Sequence, residues 1–230
     1  MSGAVPVVTI DGPSGAGKGT VSRSLAGRLR WHLLDSGALY RLVALAGVRS
    51  GLASEDREAH ARLARTLDSR FEAHPDGSER ILLDGRDVTE SVRSENSGAG
   101  ASRVAAWPQV RDALLGRQRA FARPPGLVAD GRDMGTVVFP AAPLKIFLSA
   151  SAEERALRRY NQLKEKDSAV TLAALSREIA ARDRRDASRA ASPLVPAGDA
   201  VIVDSTRLCA AEVVECVWRL GRQRGLWTES

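Results

Sequence analysis

Gly12-Pro13-Ser14-Gly15-Ala16-Gly17-Lys18-Gly19-Thr20 is the stretch from which the rest of the chain can be read. It follows a short apolar, β-branched run, Val5 to Ile10, that closes on Asp11-Gly12. It leads into a helical pattern that starts near Lys18 and sets Val21, Leu25 and Leu29 on one face. Gly12, four residues, then Gly17-Lys18 is the spacing of a P-loop. Glycines let the backbone curl so that successive N–H groups aim at a β-phosphate, the helix N-terminus adds its positive end, and the lysine reaches the β and γ oxygens. The whole stretch, Gly12 to Thr20, is therefore expected to cradle ATP or GTP. The generic pattern has Ser or Thr directly after the lysine; Gly19 intervenes here, which makes Thr20 a weak candidate for the magnesium contact.

Outward from the cradle, strands and helices alternate. Leu33-Leu34 is a second short strand before Asp35-Ser36-Gly37, followed by an apolar helix over about Ala38 to Arg49 and a polar one over about Glu55 to Leu67. Between Arg70 and Val92 the period changes. Arg70 to Ala73 alternates, His74 to Ser78 is a turn, Ile81 to Leu83 is a strand, and Asp84-Gly85 is a hairpin turn before Arg86-Asp87-Val88, which predicts a small antiparallel insertion. Helical pattern then runs to about Ala122, its last segment opened by Trp107-Pro108 and closed by Pro124-Pro125-Gly126. Leu127 to Asp130, Leu144 to Leu148 and Ala200 to Asp204 are strands, each expected to lead through a loop into a helix. Two charged helices, about Ser151 to Lys166 and Leu172 to Arg189, stand between the last two. The fold class is α/β, a parallel sheet with helices on both faces.

The length of 230 residues and 43% hydrophobic content allow one main core, with any second unit a small insertion. No apolar run approaches the roughly 18 residues of a membrane span. Met1 to Pro6 has no signal-peptide pattern, so a cytoplasmic protein is expected. Cys209 and Cys216, seven apart in helical pattern, are too distant to bridge and are expected as reduced, packed thiols. His32, His60 and His74 lack metal-ligand spacing, and Trp31, Trp107, Trp218 and Trp227 are scattered, so packing roles are expected for all seven. The net charge is +6 with a pI near 10.0. Basic residues are interspersed with 28 acidic ones, which argues against a nucleic-acid partner. Only four of the 34 basic residues are lysines, which singles out Lys18.

A P-loop alone does not name the acceptor, but GTPase base-reading motifs are absent and the chain is short for a helicase pair, which leaves a small kinase as the leading class. An acceptor carrying its own phosphate needs arginines converging from several elements. Arg41 stands near the start of a helix; Arg132 and Asp133, flanked by glycines, lie just past a strand's carboxyl end, where ligands of open α/β sheets bind. Arg182, Asp186 and Arg189 share one helical face, and Arg155, Arg158 and Arg159 repeat that spacing one helix earlier.

Gly12 to Thr20, Leu34 to Arg41, Asp130-Gly131-Arg132-Asp133-Met134-Gly135-Thr136-Val137-Val138-Phe139-Pro140 and Arg182-Asp183-Arg184-Arg185-Asp186 together resemble the bacterial cytidylate kinases over nearly the whole chain. The last two motifs are more specific than the P-loop, and the insertion at 70–92 is similar to that family's enlarged nucleotide-binding insert. The resemblance implies a P-loop nucleoside monophosphate kinase fold in one domain, 1–230, with an acceptor-binding insert at 68–105 and a helical lid at 155–189. It implies transfer of the γ-phosphoryl group of ATP to CMP, and to dCMP, with Mg²⁺. A monomer that needs no membrane or nucleic acid is expected. By motif match Ser36, Arg132 and Asp133 read cytosine, Arg41, Arg111 and Arg132 approach the phosphate, and Arg182 and Asp186 hold the ribose. Arg158 and Arg159 belong to the lid and Arg189 lies near the acceptor phosphate. Lys18, Arg132, Arg158 and Arg189 are then the catalytic set. A kinase of UMP, AMP or shikimate is the nearest rival.

Overall fold

In the computed structural model, Val7–Asp11 forms the first strand, β1, and every residue of it is buried. The structure describes residues 5–73, 79–164, 170–189 and 191–228. The chain divides into two units, Met1–Asp35 with Arg119–Ser230, and Ser36–Gln118.

The first unit holds β1, α1 (Lys18–Leu29), β2 (His32–Asp35), β6 (Leu127–Gly131), β7 (Leu144–Ser149), α7 (Ala152–Lys164), α8 (Leu172–Ala187), β8 (Val201–Asp204) and α9 (Ala210–Gln223). The strands form one sheet in the order β2-β6-β1-β7-β8, all neighbours parallel. Burial on both faces is what allows near-continuous apolar runs such as Val7-Val8 and Leu127-Val128-Ala129. On one face Val8, Ile10, Val128, Ile146, Leu148 and Val203 meet Val21 and Leu25 of α1 and Val213, Val217 and Trp218 of α9. On the other, Thr9 and Lys145 lie against Gly135, in a π-helical turn at Met134–Val138. The chain leaves β1 for β2, beyond β6, and later crosses from β6 to β7 on the opposite side of β1. That reversal opens a crevice at the carboxyl end of β1, where the glycine loop sits.

The second unit consists of α2 (Ser36–Arg49), α3 (Arg57–Arg65), the antiparallel β3 (Ser69–Ala73), β4 (Glu79–Leu83) and β5 (Arg86–Asp87), then α4 (Thr89–Arg93), α5 (Glu95–Val104) and α6, which begins at Pro108 and ends at Arg119. Helix α3 starts where the Asp56 side chain accepts the Ala59 N–H at 2.9 Å. His60 stacks edge-on against Trp107 with centroids 5.3 Å apart, its Nδ1 2.7 Å from the Asp56 carbonyl oxygen. Asp84 and Gly85 both have positive φ, 50° and 73°, as a tight hairpin turn requires.

Several expectations shift. The apolar helix begins at Ser36 rather than Ala38, so Ser36 is its first residue. Helix α8 ends at Ala187, which leaves Arg189 beyond its last turn. A π-helical turn rather than an α-helix follows β6. Both cysteines are free, but only Cys216 packs; Cys209 is exposed at the N-terminus of α9. Trp31, Trp218 and Trp227, scattered in sequence, gather in one cluster. The expected turn at His74 to Ser78 and the expected end of the charged helix at Lys166 lie outside the described residues. Among the described residues no helix is long and apolar enough to cross a membrane.

Candidate active site

The phosphate loop leaves β1 in contact with its neighbour. A side chain on Gly12 would come within 2.0 Å of the Leu148 carbonyl oxygen, at a φ of 150°, so only glycine fits. Gly17 occupies the N-cap position and Lys18 is the first residue of α1. The first N–H groups of α1, which have no partner within the helix, thus directly follow the glycine loop. Thr20 is exposed on the first turn.

Lys18 is buried, and its Nζ donates to the Pro13 carbonyl at 3.0 Å. Burial, reinforced by the Arg132 guanidinium, pulls the ammonium down to about 7. Asp130, near the carboxyl end of β6, is pushed up to about 7 chiefly by burial. Its Oδ2 lies 3.4 Å from where a Cβ on Gly19 would stand, at the foot of α1. Fixing a full charge on Lys18 in so dry a place needs a dense negative partner, such as a phosphate group.

Asp11, the last residue of β1, was not singled out from the sequence. Its Oδ1 accepts the Met134 N–H and its Oδ2 the Gly135 N–H, both at 2.8 Å. Burial pushes this carboxyl up to about 6, with the two amides opposing. Two successive amides at the start of the π-helical turn are thus held by a carboxylate on a strand 123 residues away, which satisfies N–H groups that have no partner within the turn. Asp133, immediately before the clamped amides, is itself 2% exposed.

Asp186 joins the β6 loop to α8. Arg132 Nε donates to its Oδ2 at 3.0 Å and Arg189 Nη2 to its Oδ1 at 2.5 Å. Burial alone would raise Asp186; the Arg132 and Arg189 guanidinia outweigh it and hold the carboxyl below the usual range. Arg132, Arg182, Asp186, Arg189 and Lys18 are thereby electrostatic neighbours.

On α7, Arg158 Nη1 comes within 3.8 Å of a Cβ position on Gly17, beside the cradle. Its donors already meet Glu154 at 2.8 Å and the Ser205 carbonyl at 2.5 Å. Ser205 in turn donates to the Ala16 carbonyl of the loop at 3.2 Å. Arg159 is turned toward Gln162 at 3.2 Å.

The remaining expected site residues belong to the second unit and are held within it. Ser36 is buried at the start of α2. Arg41 Nη1 donates to the carbonyls of Val92 and Ser94 at 2.9 and 3.0 Å. Arg111 is buried, donates to the Ala105 carbonyl at 3.1 Å and lies 5.5 Å from the Tyr40 ring centroid. Each element therefore delivers a guanidinium already steadied by backbone oxygens.

Asp11, Asp130 and Ser205 complete this framework and were not picked as site residues from the sequence. Asp11 and Asp130 carried a faint signal, as carboxylates at the carboxyl ends of two apolar strands.

Comparison with known proteins gives a concordant result. The family model for cytidylate kinase matches residues 8–223. A cytidylate kinase of Pseudomonas aeruginosa is 60% identical over 227 residues, 98% of this chain and 99% of that protein. Those of Marinomonas sp. and Pseudomonas syringae pv. syringae are 56% and 61% identical over 221 and 211 residues, covering 96% and 91% of this chain and 97% and 92% of their own.

Proposed function

The chain belongs to the cytidylate kinase family, and on that premise we propose that it transfers the γ-phosphoryl group of ATP to CMP, and to dCMP, giving ADP and CDP or dCDP. The observation that supports cytosine as the base is Asp133, a buried carboxylate beside Arg132 just beyond β6. A carboxylate accepts the N4 amino protons of cytosine, whereas uracil presents a carbonyl there and two acceptors would face each other. Such a pairing is worth about 1–3 kcal/mol of discrimination.

In this reading Gly12, Pro13, Ser14, Gly15, Ala16, Gly17, Gly19 and Thr20 hold the donor phosphates, and Lys18 follows the migrating group with Arg158 beside it. Ser36, Arg132 and Asp133 hold the base, and Arg182 and Asp186 the ribose. Arg41, Arg111, Arg132 and Arg189 neutralise the acceptor phosphate. That phosphate is largely ionised near neutral pH, so no general base is needed, and catalysis rests on positioning and charge compensation.

Among the described residues no cluster of three or more His, Cys, Asp or Glu could bind a metal by itself. That suits Mg²⁺ arriving on the nucleotide, with phosphate and water as most of its ligands. Thr20 and Asp130 are the residues at hand to hold it, and when bound it offsets charge on the β- and γ-phosphoryl oxygens. The enzyme acts as a cytoplasmic monomer in this reading.

The test is ADP production from ATP and Mg²⁺ with CMP, dCMP, UMP, AMP and GMP as separate acceptors at equal concentration, for the native chain and Asp133→Asn. CMP and dCMP lead, and the variant narrows the CMP-to-UMP ratio of kcat/KM by roughly tenfold. A lead by another monophosphate overturns the acceptor assignment; an unchanged ratio removes Asp133 from base reading.

A further inference from the structure

Arg155 is engaged through all three of its guanidinium nitrogens, and no step of the reaction above uses it. Its side chain is 5% exposed on α7. Nε donates to the Ala150 carbonyl at 3.0 Å and Nη1 to the Ser14 carbonyl, inside the phosphate loop, at 3.0 Å. The same guanidinium forks onto Asp183 of α8, Nη1 to Oδ1 at 3.0 Å and Nη2 to Oδ2 at 2.6 Å. The loop presses on the stem as well. A Cβ on Gly15, at a φ of 80°, would stand 3.1 Å from the Arg155 Cβ. One side chain thus ties the donor loop to the helix that carries Arg182 and Asp186.

We propose that the Arg155–Asp183 pair is a coupling element, through which nucleotide in the phosphate loop and monophosphate on α8 strengthen each other's binding. The proposal rests on the assignment of CMP as acceptor. Asp183 is adjacent to Arg182 and three residues from Asp186, so a shift of α8 moves all three together. A bidentate fork is directional, and the pair is shielded from water on the Arg155 side. Displacement of α8 therefore either drags the Ser14 carbonyl with it or breaks one of the bonds that Arg155 makes to Ser14 and Asp183. Nucleotide that fixes the loop thereby fixes α8 in the position that receives the ribose and phosphate. Binding linkage makes the effect reciprocal: CMP must improve nucleotide affinity by the same factor. Arg155 and Asp183 act here as positioning residues and touch neither substrate.

The experiment is calorimetric titration of CMP into the full chain, with and without a saturating non-hydrolysable ATP analogue and Mg²⁺. The proteins are native, Arg155→Lys, Asp183→Asn and Asp183→Glu, each first checked by circular dichroism and thermal melting. In the native protein the analogue tightens CMP binding about fivefold or more. Arg155→Lys, which keeps the charge but loses the fork, and Asp183→Asn bring that ratio close to one while CMP affinity without nucleotide stays within about threefold. Asp183→Glu, which keeps the carboxylate, retains most of the ratio. A folded Arg155→Lys or Asp183→Asn variant with the native ratio reduces the pair to a structural clip, and a native ratio of one removes the coupling; either result overturns the proposal while CMP binding itself stands. Failure of the native protein to bind CMP under either condition, with another monophosphate binding instead, overturns the acceptor assignment and this proposal with it.

Discussion

Lys18 carries the most consequential ionisation in the molecule. An ammonium held near 7 rather than at its ordinary 10.5 is mostly neutral at pH 8. A nucleotide phosphate beside it favours the charged form, so the group must take up a proton as the nucleotide binds. Asp130, raised for the same reason of burial, is pushed in the same direction by added negative charge. Titration of magnesium-free ADP at pH 8, in two buffers of different ionisation enthalpy, is expected to show uptake approaching one proton per site, with affinity falling as pH rises above about 7. A binding enthalpy independent of the buffer would mean that Lys18 is already charged in the free protein.

Between elements, the contact that most clearly organises the site is Asp186, which holds one guanidinium from the β6 loop and one from beyond the end of α8. Replacing it by alanine leaves Arg132 and Arg189 close together with no carboxylate between them. A buried charge pair that loses one partner costs roughly 3–5 kcal/mol, and the 18% exposure of Arg132 favours the lower end. Asp186→Ala is expected to lose about that much in urea unfolding at pH 7. The sign with pH follows from the lowered carboxyl: Asp186's contribution is complete above the unfolded carboxylate's pKa of about 4 and disappears as pH falls through the still lower folded value. The gap between native and variant should therefore narrow below about pH 4. A gap that stays constant down to pH 3 would assign the loss to packing.

Over the whole chain, legibility follows the range of the interactions. All five strands of the parallel sheet were readable, the central β1, β6 and β7 because buried strands need apolar runs and the edge strands β2 and β8 from shorter apolar runs, and the start of α1 at Lys18 followed from the loop itself. Strand order was not, since β6 inserts between β1 and β2 through packing that no local pattern records. The same distinction holds in the site. Lys18, Arg132 and Asp133 stood out through their glycine neighbours, whereas Arg155 acts on a carbonyl 141 residues away and Ser205 on one 189 residues away. Arg155 could be seen only as one more arginine in an arginine-rich helix. The tryptophans have a consequence of another kind. Trp31, Trp218 and Trp227 are clustered in the first unit, with Trp227 5.7 Å from Trp31 and 5.5 Å from Trp218, while Trp107 alone belongs to Ser36–Gln118. Tryptophan emission is therefore already partitioned by nature: excited beyond the absorption of tyrosine, a Trp107→Phe protein glows only from the first unit, and its difference from the native spectrum is the optical signature of the second.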